Sequence, residues 1–317
     1  VVWQYSFIYQ FSTKFKICFM ELRIKNLSKT YPNGVQALKS VELTIGKGMF
    51  GLLGPNGAGK SSLMRTIATL QEPDTGSITF GSIDVLRDKE KLRKTLGYLP
   101  QEFGVYPKVS AEILLDHLAV LKGIADRKAR KELVAALLHK TNLYQARKKN
   151  LGGFSGGMKQ RFGIAQALIA DPKLIIVDEP TAGLDPAERN RFHNLLSELG
   201  ENTVVILSTH IVDDVKELCT DMAIINQGQV LLNTHPLKAL DALQGKIWKK
   251  KVEKGEVEEY RKQFNVISDR MIAGKPVIHV FGEAQPADGF DPVEADLEDV
   301  YFSTITGQAG QQQATMA

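Results

Sequence analysis

The sequence has few cysteines, no long apolar run and almost no charge excess. Cys18 and Cys219 are its only cysteines, which excludes a disulfide framework and is typical of a reducing compartment. No stretch approaches the roughly 20 apolar residues of a membrane-spanning helix, so we expect a chain that docks on a membrane at most. The net charge of +4 is too small to favour a nucleic-acid partner.

What is present is an ordinary globular composition with alternating strands and helices. Of the 317 residues, 43% are hydrophobic and 24% are charged, which excludes a disordered or fibrous chain. Leu174–Val177 and Val204–Leu207 are continuous apolar runs, typical of parallel strands buried on both faces. Between them and the N-terminus, strand and helix patterns alternate. The pattern predicts an α/β fold with a mainly parallel core sheet.

Changes in residue composition and hydrophobic pattern along the chain predict four segments. Residues 1–19 read as a non-native leader before a true start at Met20, with a membrane-surface anchor as the alternative. Residues 20–235 form the α/β domain, with an antiparallel N-terminal β part and a helical insert at about 102–170. Residues 236–305 form a small α+β extension, in which we expect a charged helix from Glu253 to Lys262 and a hairpin from Val266 to Phe281 that turns at Ala273–Pro276. Residues 306–317 lack apolar anchors and are expected to be disordered.

A phosphate-binding loop (P-loop) lies between a predicted strand and a predicted helix. The pattern G-x-x-x-x-G-K-[ST] lets backbone N–H groups point at phosphate oxygens, and the helix adds its positive end. The lysine reaches the β- and γ-phosphates and the serine hydroxyl binds Mg²⁺. A glycine-rich turn with a chance lysine is the alternative. The predicted nucleotide contacts are Gly54, Pro55, Asn56, Gly57, Ala58, Gly59, Lys60, Ser61 and Ser62.

Two carboxylates close the apolar run that begins at Leu174. Asp178 and Glu179 lie where open α/β sheets bind ligands, at the carboxyl end of a strand. Asp178 suits coordination of Mg²⁺, and Glu179 suits a general base for the attacking water. The alternative is a solvated strand end.

With these motifs in order, the chain resembles the ATP-binding subunit of an ABC transporter from about Glu21 to Asn233. The resemblance implies ATP as substrate. It implies that Tyr31 stacks on adenine, although an ordinary turn aromatic is the alternative. It also implies that Gln101 contacts Mg²⁺ and the lytic water, and that His210 is the switch histidine at the γ-phosphate.

The family's signature is matched by Ser155, Gly156 and Gly157, and its D-loop by Asp185. The family more often has Leu and Gln where this chain has Phe154 and Met158, which puts the dimer contact in question. In the family the P-loop and the signature face different nucleotides. The resemblance therefore implies a dimer of two cassettes, identical or not, each contributing half of every ATP site.

The resemblance extends less specifically to the ATPases of ABC-2 type exporters, through the sequence around Gln101 and through Leu297–Tyr301. It implies a separate membrane permease as partner, no nucleic acid, and a peripheral place on the cytoplasmic membrane face. Phe103 and Tyr106 are candidate anchors for the permease, or else core residues of the insert. An importer ATPase, or a soluble ABC ATPase acting on nucleic acid or the ribosome, are the alternatives.

The other histidines show no metal-ligand spacing, so we expect them to be structural or exposed. They are His117, His139, His193, His235 and His279.

Overall fold

The computed structural model describes residues 20–101, 104, 106–181, 183–201 and 203–307. The leader expected at 1–19, the candidate anchor Phe103 and most of the expected tail therefore lie outside the described residues. The strands are β1 Leu22–Thr30, β2 Gln36–Ile45, β3 Gly48–Leu53, β4 Thr75–Phe80, β5 Ile83–Asp84, β6 Leu96–Leu99, β7 Leu174–Asp178, β8 Val204–Thr209, β9 Asp221–Asn226, β10 Gln229–Thr234, β11 Ile247–Lys251, β12 Val266–Ile272, β13 Lys275–Phe281 and β14 Asp291–Pro292.

Ten α-helices and two short 3₁₀ helices are found in the described part of the chain. The α-helices are α1 Lys60–Ile67, α2 Lys89–Thr95, α3 Ala111–Leu121, α4 Arg127–Lys140, α5 Gly156–Ala167, α6 Pro186–Gly200, α7 Val212–Leu218, α8 Pro236–Leu243, α9 Val257–Gln263 and α10 Leu297–Ile305. The 3₁₀ helices are Tyr144–Ala146 and Leu151–Gly153. None of the described helices is long and apolar enough to cross a bilayer.

The core sheet has the strand order β10-β9-β3-β8-β7-β6. All of its neighbours pair in parallel except β10, which is an antiparallel edge. Every residue of β7 and β8 is buried, because helices and the other β layer cover both faces. The predicted α/β fold with a mainly parallel core sheet is confirmed. A second sheet, antiparallel and ordered β2-β1-β4-β5, forms the N-terminal β part.

The helical insert is built from α3, α4 and α5. Their apolar faces meet in one cluster that includes Leu115, Leu138 and Phe162, all fully buried. Ser110 accepts a hydrogen bond from the Ile113 N–H and so begins α3. No strand interrupts this stretch among the described residues, as the sequence pattern predicts.

The C-terminal residues form an antiparallel sheet, β12-β13-β11-β14, with α9 and α10. The hairpin predicted within 266–281 is present, and its turn residues Ala273 and Gly274 both have positive φ. The helix predicted from Glu253 is shorter, since the Glu253 N–H bonds the Glu256 carboxylate in a turn before α9 begins. Helix α10 does not stand apart, because Val300 lies in the same apolar cluster as residues of β9 and α7.

Candidate functional site

The P-loop connects β3 to α1 at the carboxyl edge of the core sheet. Two of its glycines are required by close approaches of the backbone. A Cβ on Gly54 would lie 2.3 Å from the carbonyl oxygen of Ile225, and one on Gly59 would lie 2.5 Å from that of Ala37. Gly59 also has φ 108°, which disfavours any other residue. The loop can therefore pack against the backbone at Ile225 and Ala37 only with glycine at these positions.

Lys60 is a buried cation at the start of α1, only 4% exposed. Its Nζ donates hydrogen bonds to the carbonyl oxygens of Gly54 (2.7 Å) and Pro55 (3.2 Å). The same Nζ lies 3.2 Å from Oε1 of Glu179. The positive charge is thus held at the mouth of the loop, where phosphate oxygens are expected.

Glu179 is the centre of the site. One carboxylate oxygen faces Lys60, and the other, Oε2, lies 2.9 Å from Nδ1 of His210. Its backbone has φ 47°, a strained conformation for a non-glycine residue, held by a hydrogen bond from its N–H to the Ser208 carbonyl. Strain maintained by the surrounding structure is typical of catalytic positions. The P-loop lysine, the glutamate and the histidine are therefore brought into one chain of contacts.

Asp178, the last residue of β7, is buried beside this group. Burial raises the pKa of its carboxyl group, and the nearby hydroxyls of Ser208 and Ser61 partly oppose that rise. Its Oδ1 has no hydrogen-bond partner among the described residues. An unpartnered buried carboxylate oxygen next to a serine hydroxyl fits a hard cation such as Mg²⁺. The described residues contain no group of three or more His, Cys, Asp or Glu that could hold a metal ion.

A cleft of about 700 Å³ opens over the P-loop. Gly54, Asp178 and His210 do not line it. The Gly54 carbonyl bonds the lining residue Lys60, and His210 bonds the lining residue Glu179. Among the predicted site residues, the lining consists of Tyr31, Pro55, Asn56, Gly57, Ala58, Gly59, Lys60, Ser61, Ser62, Gln101 and Glu179.

Tyr31 borders this cleft with its hydroxyl 3.0 Å from both Ser62 Oγ and Gln71 Oε1. These two contacts fix the side chain at one end of the cleft. Its stacking on adenine remains a prediction.

The signature lies elsewhere in the chain. Ser155 caps α5 by accepting a hydrogen bond from the Met158 N–H (3.2 Å), and it is exposed. Neither it nor Gly156 or Gly157 lines the P-loop cleft. The unusual Phe154 is buried and packs edge-on against Phe162 (6.5 Å between ring centres), so it belongs to the insert core.

Asp185 has a structural role within this chain. It caps α6 by accepting a hydrogen bond from the Glu188 N–H (2.9 Å) and is otherwise exposed. Its role as a D-loop contact across a dimer remains a prediction.

One set of polar residues beside the site had no sequence signal. Asp214, on α7, is fully buried and bonds side chains of α6, of β8 and of the turn after β7. Among the histidines expected to be structural or exposed, His193 is buried between Asp214 and Glu217, and His279 bonds Asp299. Only tertiary structure brings these residues together, because their partners are about 20 residues away in sequence.

The chain is similar to several known ATP-binding proteins of ABC transporters. A family model described as ABC transporter matches residues 38–182. The linearmycin resistance ATP-binding protein LnrL of Bacillus subtilis is 36% identical over 66% of this chain and 68% of its own length. The probable multidrug ABC transporter ATP-binding protein YbhF of Escherichia coli is 32% identical over 90% of this chain and 52% of its own length. The chain thus spans only about half of YbhF.

The fold also matches solved structures. The dimeric post-hydrolysis state of the ATP-binding cassette MJ0796, bound to ADP and Pi, has a TM-score of 0.62 and 27% sequence identity. The match covers 68% of this chain and 98% of that cassette.

Proposed function

Because this chain belongs to the ABC transporter family of ATP-binding proteins, we propose that it hydrolyses ATP to drive an exporter whose membrane permease is a separate chain. ATP binding and ATPase activity follow from family membership. The observation that carries the assignment of residues is the contact of Glu179 with both Lys60 and His210 at the P-loop.

The chemistry assigned to these residues is the transfer of the γ-phosphoryl group to water. The loop N–H groups and Lys60 would bind the β- and γ-phosphates. Glu179 would accept a proton from the attacking water, and His210 would orient that carboxylate and donate to the γ-phosphate. Ser61, Asp178 and Gln101 would hold Mg²⁺, which would supply positive charge to neutralise the phosphate oxygens.

The second half of the ATP site is assigned to another cassette. The signature residues Ser155, Gly156 and Gly157 lie outside the P-loop cleft. Gly156 faces open space, since a Cβ there would meet no heavy atom within 4 Å. Nothing in its own chain requires glycine at this position, which supports a role toward a nucleotide bound by a partner cassette. The partner is a second copy or a related ATPase.

Export is favoured over import by the extent of the similarity. The match to YbhF, named as a multidrug transporter, covers 90% of this chain and so reaches into the C-terminal residues. A relative named for methionine import matches 66% of this chain. An importer ATPase is the second candidate, because the catalytic motifs are common to both.

A groove along strand β6, the strand that leads to Gln101, fits a permease. It has a volume of about 310 Å³ and lies between the end of α1, strand β6 and helices α3 and α5. Leu70 and Leu121 line it and are 56% and 70% exposed. Tyr106 does not line the groove, but it follows Gln101 by five residues and is 67% exposed. Exposed apolar side chains around a concave surface are typical of docking sites. The proposed occupant is a short cytoplasmic helix of the permease, which would place this chain at the cytoplasmic membrane face.

The catalytic assignment is tested with Glu179→Gln. We expect kcat to fall about 10²- to 10⁴-fold, because the general base is lost, while ATP binding and ATP-dependent dimerisation remain. Glu198→Gln, on the exposed part of α6, is the matched control and should behave as wild type. Turnover near the wild-type rate in Glu179→Gln would contradict the assignment.

The partner is tested with the same variant, tagged, loaded with ATP and purified from membrane and soluble fractions of its native host. A multi-span permease in the membrane fraction is the expected result. Ribosomes or DNA in the soluble fraction would overturn the transporter assignment. In the complex, Tyr106→Ala should abolish transport and preserve basal ATPase activity, whereas equal loss of both would exclude Tyr106 as a docking anchor.

A further inference from the structure

Asp214 joins the residues that flank the proposed catalytic pair. The aspartate is fully buried near the start of α7 and does not line the ATP cleft. Its Oδ2 accepts hydrogen bonds from Thr181 Oγ1 (2.7 Å) and Thr209 Oγ1 (3.0 Å). Its Oδ1 lies 3.0 Å from Arg189 Nε and 2.9 Å from His193 Nε2. One carboxylate thus connects four side chains from three parts of the fold: the segment after β7, the end of β8, and α6.

The two threonines adjoin the proposed catalytic residues. Thr181 is two residues after Glu179, and Thr209 immediately precedes His210. The hydroxyl of Thr209 also accepts a hydrogen bond from the Ile211 N–H (3.0 Å). The residues on both sides of His210 are therefore tied to one hydroxyl, and that hydroxyl is tied to Asp214.

The other oxygen of Asp214 anchors α6 through Arg189. This helix begins directly after Asp185, the predicted D-loop residue, so the same carboxylate contacts the helix that follows the D-loop. A buried carboxylate is costly unless it is fully paired. Here it has two hydroxyls, a guanidinium and an imidazole as partners, so the bonds that satisfy it also fix the position of each partner.

We propose that Asp214 is a positioning residue for ATP hydrolysis. Through Thr181 and Thr209 it fixes the position of Glu179 relative to His210. The proposal rests on the proposed roles of Glu179 and His210. Asp214 itself touches neither ATP nor water in this assignment. Its effect is on the 2.9 Å contact between the glutamate and the histidine.

The test compares Thr209→Val with Thr209→Ser in the full-length chain. Valine removes the hydroxyl and keeps the shape, so we expect kcat to fall about tenfold with KM for ATP unchanged within about twofold. Serine keeps the hydroxyl and should restore kcat to within about twofold of wild type. Thr141→Val is the matched control, because Thr141 is a buried threonine in the insert whose hydroxyl bonds only the Leu137 carbonyl. It should leave kcat unchanged.

Two results would overturn the proposal: wild-type kcat in Thr209→Val, or an equal loss of kcat in Thr209→Val and Thr209→Ser. Asp214→Asn should lower kcat at least as much as Thr209→Val. If Asp214→Asn does not fold, as its melting curve would report, the threonine pair decides the question alone.

Glu179→Gln measured in parallel separates the two hypotheses. Normal turnover in Glu179→Gln would mean that the proposed catalytic roles are wrong. Lost turnover there with normal turnover in Thr209→Val would mean that only the positioning role of Asp214 is wrong.

Discussion

Two glycine-containing loops in this chain each begin a helix, and their surroundings differ. In the P-loop, Gly54 lies against the backbone of Ile225, and Lys60 is buried among carbonyl oxygens and Glu179. In the signature, Gly156 has open space around it and Ser155 is exposed. The first loop is shaped by contacts within its own chain. The second contains a glycine that its own chain does not require.

The difference separates two physical reasons for glycine. A glycine under backbone crowding is needed for folding, and its replacement should change stability. A glycine such as Gly156, which has open space and no positive φ, is needed only if something approaches from outside. This comparison supports the proposal that each ATP site is completed by a second cassette.

Among variants of the two loops, the largest effect is expected from removing the buried charge of the P-loop. Lys60→Ala should lower kcat about 10²- to 10³-fold, because a preorganised positive charge at the phosphates is lost. Steady-state ATPase assays and binding of a fluorescent ATP analogue measure the change. Lys47→Ala, at an exposed turn before β3, is the control and should have no effect. Full activity in Lys60→Ala would remove the P-loop from the mechanism.

Gly54→Ala tests the crowded side of the comparison. The added methyl group would overlap a backbone oxygen, so we expect the free energy of unfolding to fall by about 2–4 kcal/mol. Urea titration followed by circular dichroism measures it. Unchanged stability would mean that the loop and β9 can separate easily.

Gly156→Ala tests the open side. Stability should remain within about 0.5 kcal/mol of wild type, since the methyl group meets no atom of this chain. ATPase activity should fall about tenfold, and ATP-dependent dimerisation measured by light scattering should weaken with it. Wild-type activity in this variant would argue against a signature contact with the partner's nucleotide.

Asp178→Asn tests whether the buried carboxylate beside the P-loop lowers the stability of the nucleotide-free protein. Burial raises the pKa of Asp178, so the ionised carboxylate destabilises the fold at neutral pH. The variant should therefore melt above wild type at pH 7. The stability gain of the variant over wild type is fully present above the raised pKa of Asp178. It disappears as the pH falls from there toward 3.8, the ordinary pKa of an aspartate. Calorimetry without nucleotide measures it, and a variant that melts below wild type would contradict the argument.

Sequence patterns predicted the parts of the fold that depend on neighbouring residues. The strand–loop–helix unit around Lys60, the buried strand ending at Asp178 and the hairpin at Ala273 follow from local periodicity and turn chemistry. Sequence patterns did not predict the contact of Glu179 with both Lys60 and His210, because these three residues come from separate segments of the chain. It depends on the order in which strands enter the sheet.

Other features could not be predicted in this way. Asp214 and His193 are ordinary polar residues on amphipathic helices until the fold buries them together. Tyr106 is exposed, so it is not a core residue of the insert. A single aromatic residue has no sequence periodicity from which this exposure could be predicted. The same holds for α10, whose burial against α7 is a tertiary contact.

The strand order of the core sheet has a consequence for how the chain folds during synthesis. Strand β3, which leads into the P-loop, pairs on one side with β8, 156 residues later in sequence (Gly48 with Val204), and on the other with β9, 171 residues later (Phe50 with Asp221). At a translation rate of about 5–20 residues per second, β3 waits on the order of 10–30 seconds before its first neighbour emerges. Residues of such high sequence separation form contacts slowly, and an unpaired apolar strand is exposed to misfolding in the interval. The nucleotide site can therefore form only late in folding, and ATP can stabilise only the finished domain.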